Sequence, residues 1–263
     1  MQALAPLIIR SITRRSRRSL LTIGGVAISI CVLSLLLASY EALFLSPPNP
    51  VQALRLITRH RVSMTQPLPL SYGAKIREVP GVTAVSAWTW FQGQYKDAAN
   101  PANTFGRFAV EPDQMLRVKT ELQMPQDQKE AFRTNRTAAI ASDLLAKRHG
   151  WKIGDRIPLT GDIFPVSLEL TLLGIYRDVD EDEALFFSHE CLKEALGGDR
   201  LANTTGMFYI QASDQSKMGS IARDVDALFD NSPYPTRSET EREFQLSFVS
   251  FIGNLKVFLT ALF

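Results

Sequence analysis

The sequence predicts an α+β domain carried between two membrane-spanning α-helices, the second of them cut short. Three stretches predict it. Leu20–Tyr40 (LLTIGGVAISICVLSLLLASY) carries no charge, and at ~1.5 Å per residue it reaches roughly 31 Å, the thickness of a bilayer's hydrocarbon core. Between Gln66 and Ser238, strand-like alternation and helix-like periodicity follow one another, punctuated by Gly and Pro. From Leu246 to Phe263 the chain is apolar except for Asn254 and Lys256, and it stops before a span would be complete.

Arg10, Arg14, Arg15, Arg17 and Arg18 stand just before the first apolar stretch. They orient it with the N-terminus in the cytoplasm and the following domain outside, and anionic lipid is their natural partner. Arg55, Arg59 and Arg61 follow at a greater distance and weigh less. A cleaved signal peptide fits less well, because its apolar core would be shorter and LASYEALFL offers no small-x-small cleavage site. Met1–Ile12, with Leu4, Leu7, Ile8 and Ile12 at helical spacing, is either the cytoplasmic start of the span or an interfacial elbow helix. Gly24, Gly25, Ala27, Ser29 and Ser34 offer a close-packing seam to other helices. Ser46-Pro47-Pro48-Asn49-Pro50 ends the helix.

The 263 residues carry a net charge of +2 and are 45% hydrophobic, ordinary values for a folded chain. The basic excess crowds the first eighteen positions, so the domain lacks the basic face that nucleic acid requires, and no nucleic-acid partner is expected. Cys31 lies inside the span and Cys191 outside it, which excludes a disulfide framework. His60, His149 and His189 lack partners at metal-ligand spacing and read as surface or cap residues.

In chain order, Leu70-Ser71 opens a short helix through Ile76 and Val79, stopped by Pro80-Gly81. VTAVSAWTWFQGQY alternates as a strand, with Trp88 and Trp90 on one face, most simply as core and otherwise as a ligand platform. Phe105–Val110 is a second strand, and the polar stretch from Glu111 to Asn135 has helical potential. AAIASDLLAKRHGW is a strand and then a helix from Ser142 to a Gly150 cap. Lys152–Leu159 is a turn at Gly154-Asp155 and a strand, and Leu168–Tyr176 is a further strand. A helix follows Ser188 and ends at Gly197-Gly198. Gly206–Ala212 is a strand, and Met218–Phe229 a helix with Ile221, Val225, Leu228 and Phe229 inward. Ser238 and Glu241 form a capping box for the helix that leads into the second apolar stretch.

Chemistry is sparse. No phosphate-binding loop, H-E-x-x-H, G-x-S-x-G or C-x-x-C occurs. Asp178–Glu183 (DVDEDE) mimics the start of a calcium loop, but Glu183 stands where glycine is needed and His189 where the bidentate glutamate belongs, so it reads as a solvated loop. Asn135-Arg136-Thr137 and Asn203-Thr204-Thr205 are glycosylation sequons only in a eukaryotic secretory setting. No catalytic, cofactor-binding or metal residue is assigned, and the chain is expected not to be an enzyme.

Several stretches together resemble the bacterial ABC-transporter permease subunits of the macrolide-exporter (MacB) and FtsX-like superfamily. RRSRRSLLTIGGVAISICVLSL resembles the family's first membrane helix, and LSYGAKIREVPGVTAVSAW the opening of its extracytoplasmic domain. AAIASDLLAKRHGWKIGDRIPL resembles its strand-helix-"GWKxGDxxPL" segment, LTLLGIYRDVDEDEALFFSHECLKEAL the strand and helix after it, and FQLSFVSFIGNLKVFLTALF the opening of its second membrane helix. The resemblance implies a MacB-like, two-lobed periplasmic core domain between the first two of four membrane helices. One lobe is built from two chain segments and a smaller one is inserted at about 111–165. The implied organisation is a cytoplasmic segment at 1–19, a transmembrane helix at 20–45, the extracytoplasmic domain at 46–238 and the start of transmembrane helix 2 at 239–263. It also implies a multi-pass subunit of the inner cell membrane that forms a homodimer or pairs with another permease. A separate ATPase would drive it, a periplasmic adaptor is a further partner, and export by mechanotransmission is its role. MLRVKTELQMPQDQKEAFRTNRT departs from relatives in lacking a glycine-containing turn, and the loop and helices beyond the second span are missing, so the chain is expected to be a fragment. Lys256 would lie near the periplasmic leaflet with its stem snorkelling. The competing expectation is a singly anchored extracytoplasmic binding or adaptor domain with no transport role.

Overall fold

The computed structural model describes residues 16–40, 52–97, 99–178 and 183–247. The interfacial segment 1–12, the proline break 46–50, most of the acidic run 178–183 and the apolar stretch 248–263 with Lys256 lie outside the described residues. The chain divides into two compact units, Met1–Pro48 and Asn49–Phe263.

The first unit contains α1 (Ser16–Tyr40). Its segment Leu20–Ala38 has a mean hydropathy of 2.5 and none of it is buried by protein. Leu, Ile and Val are exposed all around the helix, with Leu20, Ile28 and Leu35 each more than half exposed. A helix that is apolar on every side yet uncovered belongs in lipid. Ser29 satisfies its hydroxyl within the helix by donating to the Gly25 carbonyl at 2.9 Å.

The second unit is built on a ten-stranded sheet. Its first half comprises β1 (Arg55–His60), α2 (Tyr72–Arg77), β3 (Val82–Trp90), β11 (Met207–Ala212), α7 (Met218–Phe229) and β12 (Thr236–Thr240). The strands lie in the order β12-β1-β11-β3, all antiparallel. This is a split β-α-β arrangement, in which each helix crosses between strands that are not neighbours. Residues 91–206 therefore form one long excursion between the adjacent strands β3 and β11, and residues 111–165 lie within it. β2 (Leu68–Pro69) and β10 (Thr204–Thr205) pair separately at its margin.

The excursion extends the same sheet. β5 (Gly106–Val110) pairs with β3, and β9 (Ala184–Ser188), β6 (Ala138–Ser142), β8 (Ser167–Tyr176), β7 (Arg156–Gly161) and the short β4 (Gly93–Gln94) follow in order. β6 (AAIAS) and β9 (ALFFS) are buried at every position, because helices cover both of their faces. Leu145 of α5 (Asp143–His149) and Leu192 of α6 (His189–Leu196) pack with Ala139, Ala141, Leu185 and Phe187 on one face. Met115 of α3 (Pro112–Val118) and Phe132 of α4 (Gln126–Thr134) pack with Ile140, Phe186 and Trp88 on the other. Under α2 and α7, Leu56, Val85, Phe208, Ile221, Val225 and Phe229 form the third apolar cluster.

Local chemistry sets the boundaries. Ser142 accepts from the Leu145 N–H at 3.3 Å to start α5, and Gly150, at φ +68°, ends it in the left-handed region where glycine escapes the Cβ clash. Three expectations are corrected. Trp88 is buried, but Trp90 is 47% exposed, because β11 stops pairing with β3 at Trp88. In α7 the inward stripe is Met218, Ile221, Val225 and Phe229, and Leu228 at the margin of that arc is exposed. The capping box is Thr240 with Glu243: the Glu243 carboxylate accepts from the Thr240 N–H at 2.8 Å, and the Thr240 hydroxyl accepts from the Glu243 N–H at 3.2 Å. Ser238 and Glu241 do not form it, because Ser238 is paired inside β12 and Glu241 turns into the protein. The last described helix, α8, thus occupies 241–247.

Candidate functional site

β1 is the first strand of the second unit and β12 its last, and they run side by side. Leu56 faces Thr240 in their register, so Arg55 and Glu241 meet one step further on, where the chain comes in and goes out. Alternation along β1 puts Leu56 and Thr58 on the α7 side and Arg55, Ile57 and Arg59 on the other.

Arg55 is completely buried. Its Nη1 lies 2.5 Å from Glu121 Oε1 and its Nε 2.8 Å from Glu241 Oε2. Lys119 lies 3.9 Å from Glu121 and donates from Nζ to Asp178 Oδ2 at 3.0 Å. All five side chains are nearly inaccessible. The loop that carries Lys119 and Glu121 is fixed at both ends. Lys119 N–H donates to the Met115 carbonyl, closing α3, and the backbones of Gln123 and Arg177 exchange two hydrogen bonds at 3.0 and 2.9 Å. One buried network therefore joins the incoming strand, the outgoing helix and two loops of the 91–206 excursion.

Burial alone would expel the proton from Arg55, but Glu241 and Glu121 outweigh it and hold the guanidinium pKa above its ordinary value. The network is not fully satisfied: among the described residues, Arg55 Nε and Nη2 and Glu121 Oε2 find no hydrogen-bond partner, so Arg55 meets Glu241 as an ion pair without a well-aligned hydrogen bond. Buried ion pairs of this kind add little net stability over apolar packing of the same volume, yet they fix one arrangement strongly and break at high cost. Just outside, Arg59 pairs with Glu239 at 2.8 Å, and Arg237 approaches the same carboxylate at 3.3 Å, stitching β1 to β12.

Asp178, read from sequence as the start of a solvated loop, is buried against Lys119, while Glu183 pairs with Arg148. His149 stacks on Trp151 within a ring cluster with Tyr95 and Phe105. His60 accepts from the Val62 N–H through Nδ1. His189 is buried at the start of α6. Among the described residues no group of three or more His, Cys, Asp or Glu is arranged to hold a metal ion. The network itself escaped the sequence reading: its five members lie on four separated segments, and a lone Arg, Lys or Glu carries no periodicity of its own.

His189 gives a pH prediction. Burial pushes its pKa below the ordinary value of 6.5, and a backbone hydrogen bond at Thr204 offsets part of that. The unfolded chain then binds the proton first as pH falls. Stability from this group is complete above about pH 6.5 and declines below it. The melting temperature is expected to fall between pH 7 and pH 5, with a smaller slope in His189→Asn; an equal slope in both would contradict this.

A model of the MacB-like periplasmic core domain matches residues 19–228, more than half of the chain. The fold is similar to the extracellular domain of the noncanonic ABC-type transporter YknZ from Gram-positive bacteria, at 14% identity and TM-score 0.53, covering 70% of this chain and 99% of that one. It is also similar to the periplasmic region of MacB from Actinobacillus actinomycetemcomitans, at 11% identity and TM-score 0.54, covering 78% of this chain and 97% of that one. No curated protein matches the sequence. On the match across residues 19–228, the chain belongs to the MacB-like periplasmic core domain family, and with it to the MacB/FtsX-like ABC-transporter permeases.

Proposed function

We propose that this chain is the force-transmitting part of such a permease. Nucleotide-driven motion of a separate ATPase moves the membrane helices, and the helices move the 46–238 domain to export substrate. The observation that carries the reading is the side-by-side placement of β1 and β12, clamped by Arg55 and Glu241 where the chain comes in and goes out. A domain held at two adjacent points tilts when those points shift relative to each other. Glu121 and Lys119 would pass that shift into the 91–206 excursion, in which the inserted lobe at about 111–165 lies.

The same reading assigns the remaining features. The N-terminal arginines keep the start of the chain cytoplasmic, α1 crosses the membrane among lipid, and 239–263 leads into the return span. The permease works as a homodimer or with a second permease, beside its ATPase, and a periplasmic adaptor is a further partner.

The test uses the complete permease with its ATPase in proteoliposomes. The network is replaced by apolar residues of similar volume, Arg55→Met with Glu121→Leu and Glu241→Leu, which buried networks tolerate. The variant is expected to hydrolyse ATP at near the wild-type rate while export per ATP falls at least ten-fold. Unchanged export per ATP in a folded variant would overturn the role of the junction.

A further inference from the structure

Away from the junction, part of the excursion is fastened by rings. The connection from β4 to β5 brings Tyr95 and Phe105 to the end of α5, where His149 and Trp151 stand on either side of the Gly150 cap. His149 stacks on Trp151 with ring centroids 4.8 Å apart, and it meets Tyr95 at 5.3 Å and Phe105 at 5.7 Å. Trp151 Nε1 donates to the Tyr95 hydroxyl at 3.0 Å, so the indole is tied to the connection as well. Tyr95, Phe105 and Trp151 are all buried. Next to them Lys96, at φ +54°, is the only non-glycine residue among those described in the left-handed region. Such a backbone is costly for a lysine and persists only where its surroundings impose it.

The cluster suits a neutral imidazole. A charged ring donates from both nitrogens, yet His149 Nε2 is buried and, among the described residues, has no hydrogen-bond partner. Cations already stand around the rings. Lys96 Nζ lies 5.0 Å from the centre of Tyr95, and the Arg107 guanidinium carbon lies 4.2 Å from that of Phe105. Arg148 adjoins His149 and is paired with Glu183.

Some features favour the charged ring. They are the stack on Trp151, the carbonyl end of α5, the backbone of Ala102 and the Glu183 carboxylate. Burial outweighs them, with Arg148 and Lys96 acting in the same direction, and the His149 pKa lies below its ordinary 6.5.

We propose that His149 is an acid-operated latch on the excursion: while neutral it holds the β4–β5 connection to α5 through Tyr95 and Phe105, and on protonation it lets the connection go. The latch is separate from the Arg55 junction and does not depend on the export reading. Because the open ring binds the proton first, closure is complete above about pH 6.5 and weakens as pH falls below it. One such group shifts an opening equilibrium by at most about 30-fold between pH 8 and pH 5.

The experiment follows amide hydrogen exchange of the full chain in detergent at pH 8 and pH 5, each rate corrected for the intrinsic pH dependence of exchange. Asn103 N–H, bonded to the Asn100 carbonyl, and Thr104 N–H, bonded to the Pro101 carbonyl, report on the connection. Their protection is expected to fall at least five-fold at pH 5 in the wild type, and equally in His189→Asn, which removes the other buried histidine. In His149→Phe, which keeps a ring and removes the proton site, the fall is expected to disappear. Equal protection at both pH values in the wild type, or the same fall in His149→Phe, overturns the proposal. If His149→Phe does not fold, His149→Gln supplies the comparison with a neutral polar side chain, and a fall that persists in it overturns the latch.

Discussion

Arg55→Met is expected to lower the unfolding free energy by about 3–5 kcal/mol, the usual consequence of removing one partner from a buried ionic cluster. The side chain is completely buried and lies within 2.8 Å of two carboxylates, Glu121 and Glu241. Methionine fills most of the volume, so the loss is electrostatic: two nearly inaccessible acids lose the cation they share, and Lys119 lies 3.9 Å from Glu121. Equilibrium urea unfolding, read by tryptophan fluorescence, measures it. Adding Glu121→Leu and Glu241→Leu should recover most of the loss, because matched apolar replacement removes the stranded charges. If the single change costs less than about 1 kcal/mol, water already solvates the cluster and the clamp is weak.

Phe208→Ala is expected to cost about 3–5 kcal/mol, the range for truncating a buried phenylalanine. Phe208 in β11 is 1% exposed and belongs to the cluster with Leu56, Ile76, Val85 and Phe229. A Cβ placed on Gly73 of α2 would lie 3.0 Å from its ring, so helix and strand already meet without slack and leave little room for collapse around a void. Exposed Trp90→Ala is the control, expected to change stability by less than about 0.5 kcal/mol. Comparable losses for the two would mean that the cluster repacks.

What the sequence made legible follows from where periodicity survives. β8 (SLELTLLGIY) alternates between buried and partly exposed positions along its length, and the paired apolar stripe and caps of α5 and α6 left similarly clear traces. β9 (ALFFS) did not read as a strand, since burial on both faces erases alternation. β1 (RLITRH) was hidden by its arginines, which look like residues flanking a membrane helix until Glu121, Glu239 and Glu241 are seen opposite them. β12 (TRSET) is polar throughout and is defined by its pairing with β1, which a short polar stretch does not announce. The junction had still less signal. It depends on bringing together residues 55, 119, 121, 178 and 241, a tertiary fact that no local window contains.

The pairing of the first strand with the last also sets the order in which this domain can form. Thr58 and Ser238, whose hydroxyls meet at 2.7 Å, are 180 residues apart in the chain. Contacts of such long range form slowly, because the loop must close before it is rewarded. During synthesis β1 emerges early and then waits for β11 and β12, while the excursion's own strands, β5 to β9, find their partners among nearer neighbours. The split arrangement is therefore finished late, and its finishing step brings Glu241 to Arg55. Until residue 241 is available, Arg55 has only one of its two carboxylate partners, Glu121, and the junction stays open.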